Sequence, residues 1–320
     1  MSTRTARDRT VREIAVFGGS AHQALTAEIC AFLDVPQRPV RLTRFANDSL
    51  EVQLQSNCRE RDVFLIQPLA PPVQEHLVEL LLMADAARGA SAARVTAVMP
   101  HYAYGRSDKK DAPRISIGGR LVADLLVTAG VNRVLTLNLH SPQVHGFFSV
   151  PVDHLHALRE LAVHFRDRDL SRSTVVSPDL GYAKSAAAFA RRLGLPVAAG
   201  AKERISDTEV KITAIIGDVA GRDVIVLDDE ISRGTTVFEL LDRLRDHGAR
   251  SVAVACTHGL FADNSLEKLA ATDVTVIVCT NSAPIPAKHP KLSVLSVAPA
   301  LAEAINRIHN GESVSSLFDH

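Results

Sequence analysis

Short runs dense in Val, Ile and Leu recur along the chain: EIAVF (13–17), DVFLIQ (62–67), RVTAVMP (94–100), RVLTLNLH (133–140), TVVSPD (174–179), DVIVLDDE (223–230), SVAVACTH (251–258) and DVTVIVC (273–279). Their apolar positions are near-continuous rather than alternate, which predicts strands buried on both faces of a parallel sheet. Between them lie longer stretches with apolar residues at helical spacing, namely Val73 to Arg88, Ile117 to Ala129, Ala183 to Leu193 and Val237 to His247. Strand and helix in alternation predict doubly wound α/β sheets. The strand-turn-helix rhythm is similar in the two halves, as an ancestral duplication would leave it, although there is no residue-level repeat. No Gly-, Ser- or Pro-rich linker separates the halves, and SVPVDHLHAL (149–158) is the expected crossover, so the boundary is drawn at 152/153.

At 320 residues the chain is long enough for two α/β domains, each with its own core. Lys plus Arg (36) equals Asp plus Glu (36), so no global charge draws the chain to nucleic acid or to an anionic membrane. A small anionic ligand needs a local site. Cys30, Cys58, Cys256 and Cys279 are scattered without metal-ligand spacing, the last two inside apolar strand-like runs, and are expected to be buried thiols in a reducing compartment. The opening MSTRTARDRTVRE has charges but no apolar stretch of signal-peptide length behind it, and nowhere do ~18 apolar residues run unbroken. The expectation is a soluble, cytoplasmic protein.

Five segments carry candidate chemistry. In VIVLDDEISRGTTVFELLDRL (224–244) an apolar strand ends in two acids, passes a Gly-Thr-Thr turn and enters an amphipathic helix. Gly234 lets the backbone approach an anion, Thr235, Thr236 and the first N–H groups of the helix offer donors, and Asp228 and Asp229 can accept from sugar hydroxyls. The same residues also suit a ligand-free strand end and helix cap. Asp179, in TVVSPDLGYAK, closes a strand where a doubly wound sheet presents groups to ligand, and equally suits the cap of the following helix. Lys202 and Arg204 lie on a polar stretch after an apparent strand, ahead of the apolar run Ile212 to Ile216. HYAYGRSDKKDAPR (101–114) is either a polar surface turn or, from its excess of cations, an anion site. The fifth, NLHSPQVHGFFSVPVD (138–153), follows a strand; His145, a lone histidine near two phenylalanines, is expected to be packed.

Taken together these segments resemble the ribose-phosphate pyrophosphokinase family, through essentially the whole chain from FGGSAHQALTAEI to INRIHNGESVSSLFDH. The resemblance implies two phosphoribosyltransferase-like domains, 1–152 and 153–320, each with a mainly parallel sheet flanked by helices. It implies transfer of diphosphate from ATP to C1 of ribose 5-phosphate, giving phosphoribosyl pyrophosphate (PRPP) and AMP, with Mg²⁺ as cofactor. Ribose 5-phosphate falls to Asp228, Asp229, Ser232, Arg233, Gly234, Thr235 and Thr236, where Ser232 and Arg233 replace the family's Asp and Thr. The metal falls to His140, in a segment whose usual Asp is Asn138, and to Asp179. Lys202 and Arg204 correspond to the family's catalytic Lys-Arg-Arg-Pro-Arg run, which suits a reaction that spreads negative charge over phosphoryl oxygens. ATP falls to Phe45, Asn47, Ser49, Arg106, Ser107 and Asp108: the family's Phe-Ser-Asp-Gly-Glu loop reads Phe45 to Ser49 here, and its Tyr-Ala-Arg-Gln-Asp run reads Tyr104 to Asp108. A homo-oligomer, hexameric by resemblance, is expected, with part of the adenine site supplied by a neighbouring subunit.

Two other readings compete. A regulatory paralogue that kept the fold without turnover is suggested by Asn47, Ser49, Ser107, Ser232 and Arg233. It is opposed by the retained His140, Asp179, Lys202, Arg204, Asp228 and Asp229. A phosphoribosyltransferase that consumes PRPP needs only one such domain, which the full-length resemblance disfavours.

Overall fold

A computed structural model describes residues 13–204 and 210–317, the side chains of 202–204 and 210 excepted. The first half runs β1 (Ile14–Gly18), α1 (Gln23–Leu33), β2 (Gln37–Arg38), β3 (Val40–Arg44), β4 (Leu50–Leu54), β5 (Asp62–Ile66), α2 (Val73–Gly89), β6 (Arg94–Met99), α3 (Gly118–Ala129), β7 (Arg133–Leu137) and β8 (Val152–Leu155). The second runs α4 (Leu158–Arg166), β9 (Ser173–Ser177), α5 (Ala183–Leu193), β10 (Val197–Arg204), β11 (Val210–Ile216), β12 (Asp223–Ile231), α6 (Thr235–Asp246), β13 (Ser251–Gly259), α7 (Ser265–Ala270), β14 (Val274–Thr280), β15 (Leu292–Leu295) and α8 (Ala298–Asn310).

The first sheet has order β2-β1-β5-β6-β7-β8 and is wholly parallel. The second has order β11-β10-β9-β12-β13-β14-β15, parallel except for the β10–β11 pair. Each predicted apolar run is a strand of one of these sheets, and β5 and β9 are buried at every position, as helices on both faces require. Successive residues point to opposite faces. Thus Phe17 and Leu65 pack with Leu80, Met83 and Leu126 of α2 and α3, while Val16 and Phe64 pack with Leu25 and Ile29 of α1. In the second sheet Val224 and Val226 face Leu240 and Leu244 of α6, and Ile225 and Leu227 face Phe165 and Phe189 of α4 and α5.

Three features differ from the sequence expectation. The segment 149–158 contains β8, hydrogen-bonded to β7, so the first sheet extends past residue 152 to Leu155. The helix α8 returns to the first half: Leu301 and Ile305 join the Val16 and Phe64 cluster. Its end is tied by Arg94, which bonds Asp62 Oδ1 through Nε (2.7 Å) and the Ile308 carbonyl (3.0 Å), and by His309 on Asp62 (3.0 Å). Finally, Lys202 and Arg204 do not follow a strand but belong to one. The strand β10 continues through them, paired antiparallel with β11 at Lys202↔Ile212 and Arg204↔Val210, because the apolar run of β11 supplies an edge to pair with.

All four cysteines are buried free thiols. Among the described residues no helix is long and apolar enough to cross a membrane.

On β8, His154 Nε2 accepts the N–H of Leu139 at 2.8 Å, which requires a neutral ring. Burial first, and then the charges of His156 and other histidines, lower its pKa from 6.5 to about 3. The unfolded chain therefore protonates this ring before the folded chain does. Its contribution to stability is intact above about pH 6.5 and declines as pH falls toward 3, by at most ~1.4 kcal/mol per pH unit. Between pH 7 and about 4.5 the urea midpoint of the wild type is expected to fall more steeply than that of His154→Gln. Parallel curves would remove His154 as the source of the slope.

Candidate active site

The carboxyl ends of the strands in the two sheets meet at one small cleft, where open α/β sheets characteristically bind ligand. From the first half come the turn after β6, residues 101–106, and the segment after β7, Asn138 to His140. From the second come the end of β12, Asp229 and Glu230, and His258 on β13.

The acids at the end of β12 are shifted in opposite directions. Asp229 is buried, and burial alone would raise its pKa, but the hydrogen bond and charge of His140, with Arg106 nearby, hold it well below the usual carboxylate range. His140 Nδ1 donates to Asp229 Oδ2 at 2.7 Å. Asp228 accepts the N–H of Asp229 at 2.8 Å, and burial followed by the neighbouring Asp229 charge pushes it well above the usual range. Two neighbouring carboxyls offer four oxygens that can hydrogen-bond a polyol.

Beyond the acids, Gly234 has φ +75°, and a Cβ there would lie 3.0 Å from the Phe238 ring, so the tight entry to α6 requires glycine. The loop is braced from outside: the Ile231 carbonyl accepts the N–H groups of Leu260 and Phe261 (both 3.0 Å), and the Ser232 carbonyl accepts the Ser265 hydroxyl (2.6 Å). Thr235 is exposed and Thr236 half-buried at the start of the twelve-residue helix α6, where free N–H groups and the helix dipole favour an anion. Arg233 Nε pairs with Asp263 at 2.7 Å, beside the loop.

With Nδ1 engaged by Asp229, Nε2 is the His140 ring nitrogen left for a further partner, and the side chain is 45% exposed. Asp179 is half-buried, adds to the charge felt by Asp228, and accepts the Tyr182 N–H at 3.1 Å just before α5, so the capping role is present as well. Among the described residues no three His, Cys, Asp or Glu side chains form a metal cage. A hard cation that brings most of its oxygen ligands with it, as Mg²⁺ does on phosphates, fits this sparse donor set.

Not all predicted residues reach the cleft. Phe45, Asn47 and Ser49 lie on the β3–β4 hairpin, whose tip is closed by its own bonds: Asn47 Oδ1 accepts from the Ser49 N–H (3.2 Å) and hydroxyl (2.7 Å). Phe45 is 47% exposed there. Ser107 holds the start of α3, its hydroxyl accepting the Gly118 N–H at 2.8 Å, and Asp108 is half-buried beside it. The side chains of Lys202 and Arg204 lie outside the described residues. His145 is exposed rather than packed, with Nδ1 donating to the Pro142 carbonyl, because the turn from Pro142 to Phe147 directs Val144 inward instead.

The cleft also holds His101, Glu230 and His258, to which sequence reasoning gave no role, and Asn138, with Tyr182 bonded to it. Asn138 has φ +44°, gives its Oδ1 to the Ala157 N–H (2.8 Å) and donates to the Tyr182 hydroxyl (3.3 Å). Burial, then the Asp229 and Asp228 charges, raise that phenol well above its ordinary value. His258, lowered to about 4 by burial and then by His101, donates from Nε2 to the Asn138 carbonyl at 3.1 Å. The signal that could have found His101 and His258 is their place at or just past the carboxyl end of an apolar strand.

Comparison with known proteins places the whole chain among relatives of one family. Residues 14–130 match the N-terminal domain of ribose phosphate pyrophosphokinase, and residues 203–319 the phosphoribosyl synthetase-associated domain. A provisionally named ribose-phosphate pyrophosphokinase of Streptomyces coelicolor is 72% identical over 97% of this chain and 98% of its own. The ribose-phosphate pyrophosphokinase of Deinococcus radiodurans is 50% identical over 95% of this chain and 97% of its own. The crystal structure of phosphoribosylpyrophosphate synthetase from Mycobacterium smegmatis, 36% identical, superposes with a TM-score of 0.88 over 94% of this chain and 100% of that one. With two such domain matches on a fold of two phosphoribosyltransferase-like halves, this chain belongs to the ribose-phosphate pyrophosphokinase family.

Proposed function

We propose that this chain is a ribose-phosphate diphosphokinase that transfers diphosphate from ATP to C1 of ribose 5-phosphate, giving PRPP and AMP. The observation that carries the reading is the His140–Asp229 hydrogen bond, which joins the strand-end loops of both halves at one cleft. A reaction between two phosphorylated substrates needs such a meeting point. The two halves are a domain of phosphoribosyltransferase type each, the first sheet reaching Leu155 rather than ending at 152.

In this reading Gly234, Thr235, Thr236 and the N-terminus of α6 hold the 5-phosphate, with Ser232 in the loop and Arg233 at its rim. Asp228 and Asp229 hold the ribose hydroxyls. Arg106 faces the ATP phosphates, with Ser107 and Asp108 shaping its turn. The C1 oxygen bonds to the β-phosphorus of ATP, the bond from that phosphorus to the oxygen bridging to the α-phosphate breaks, and AMP leaves. Lys202 and Arg204 offset charge on the phosphoryl oxygens. Mg²⁺, held by His140 and Asp179, supplies further charge neutralisation when bound with the triphosphate. The exposed Phe45, with Asn47 and Ser49, serves the adenine site of a neighbouring subunit in a cytoplasmic homo-oligomer, hexameric by family.

A second reading, a non-catalytic regulatory paralogue, draws support from the Arg233–Asp263 pair, which occupies a cation beside the phosphate loop. Incubation with Mg²⁺, ribose 5-phosphate and ATP, followed by chromatography, separates the two. Equal amounts of AMP and PRPP, with Lys202→Ala slower by about 10²-fold, are expected. Binding of either substrate with no product from any nucleoside triphosphate would favour the paralogue. Separately, Gly234→Ala forces a left-handed alanine against Phe238, a strain of ~1–2 kcal/mol. The KM for ribose 5-phosphate is expected to rise about tenfold, with the KM for ATP little changed. Equal effects on both substrates would detach this loop from the 5-phosphate.

A further inference from the structure

The residue after the acidic pair, Glu230, has a place in the cleft that neither the loop motif nor the proposed substrate contacts account for. Its carboxyl is split between two residues of the turn after β6 in the other half. Oε2 lies 3.1 Å from Nε2 of the buried His101, and Oε1 lies 3.4 Å from the Arg106 guanidinium. The Glu230 side chain is 11% exposed and Arg106 51%, so the ion pair runs from the interior to the mouth of the cleft.

The protons on this network follow from its partners. His101 Nδ1 is 3.0 Å from the Leu69 carbonyl, which only accepts, so Nδ1 carries hydrogen. The contact between Nε2 and Glu230 therefore needs one more proton, shared between imidazole and carboxyl. Burial opposes the ionised carboxyl, but the His101 hydrogen bond and the Arg106 charge outweigh it and lower Glu230 below its ordinary value. His258, whose ring meets His101 edge-on at 4.8 Å, has its own nitrogens bound to Ser282 Oγ and the Asn138 carbonyl, leaving the pair as His101 with Glu230.

Arg106 ends the helical turn Ala103–Arg106, and the Cβ position of Gly105 in that turn is 3.6 Å from the backbone nitrogen of His140. A long side chain that is half exposed has many rotamers, and a fixed carboxylate at its base removes most of them. We infer that Glu230 is a positioning residue: anchored by His101, it aims the Arg106 guanidinium along the junction of the two halves. It thereby aligns the phosphate-binding side of the cleft with the strand that carries Asp228 and Asp229. The inference rests on the proposed phosphate role of Arg106, and Glu230 acts through Arg106 without touching substrate.

A double-mutant cycle tests this. Glu230→Gln keeps the shape of the side chain and removes its charge. It is expected to lower kcat/KM for ATP about tenfold in the wild-type background and less than about twofold in Arg106→Ala, with the KM for ribose 5-phosphate unchanged in both. The same loss in both backgrounds, or a loss confined to ribose 5-phosphate, overturns the inference. The cycle is repeated on calorimetric binding of a non-hydrolysable ATP analogue with Mg²⁺, where the same non-additivity is expected. An absence of PRPP synthesis by the wild type would thus count against the proposed activity and leave the coupling measurable. Should Glu230→Gln not yield folded protein, Glu230→Asp, which keeps the charge and shortens the reach, enters the same cycle under the same criterion.

Discussion

The structure depends on polar groups that two sheets bury against each other at their carboxyl ends. His101 meets Glu230, His140 meets Asp229, and Asn138 meets both Tyr182 and His258, each pair joining the first half to the second. A buried polar group without a partner costs roughly 1–3 kcal/mol, so the halves are held to the one relative placement that satisfies all four contacts. That placement assembles the cleft. The groups that fix the geometry of the two halves are the groups, or the neighbours of the groups, to which substrate binding is ascribed.

Apolar packing reinforces the same arrangement from the far side. The chain crosses once into the second half after β8 and returns once through α8, whose Leu301 and Ile305 lie in the core of the first sheet. The Arg94 and His309 contacts with Asp62 fasten the end of that helix. The halves are therefore linked by two covalent crossings as well as by the polar junction, which limits how far the cleft can open by hinging. Strain is concentrated nearby: Phe261, Asp263 and Asn264 all have positive φ in the segment that braces the loop between β12 and α6.

Much of this was legible in the chain itself. The eight apolar runs and four helices read from periodicity are present, because burial on both faces of a parallel strand demands near-continuous apolar sequence. The end of β12 was legible too, since two acids, a glycine and two threonines between a strand and a helix have a local physical meaning. The elements that escaped were those whose pattern is weak on its own. The two-residue strand β2 exists only by pairing with β1, and β8 is a four-residue edge strand in a stretch that reads as crossover.

By itself, then, the sequence determined the fold class, the family and the position of the glycine turn between β12 and α6, because each follows from interactions within about twenty residues or from motifs carried along the whole chain. Only the tertiary structure decided which side chains face one another. Ser107 caps α3, Arg233 pairs with Asp263, His145 is turned to solvent, and Glu230 reaches Arg106 and His101. His101 and Glu230 are 129 residues apart. No local propensity couples positions so distant. Their contact arises when two sheets dock and water leaves, and the need to satisfy each buried charge then selects its partner.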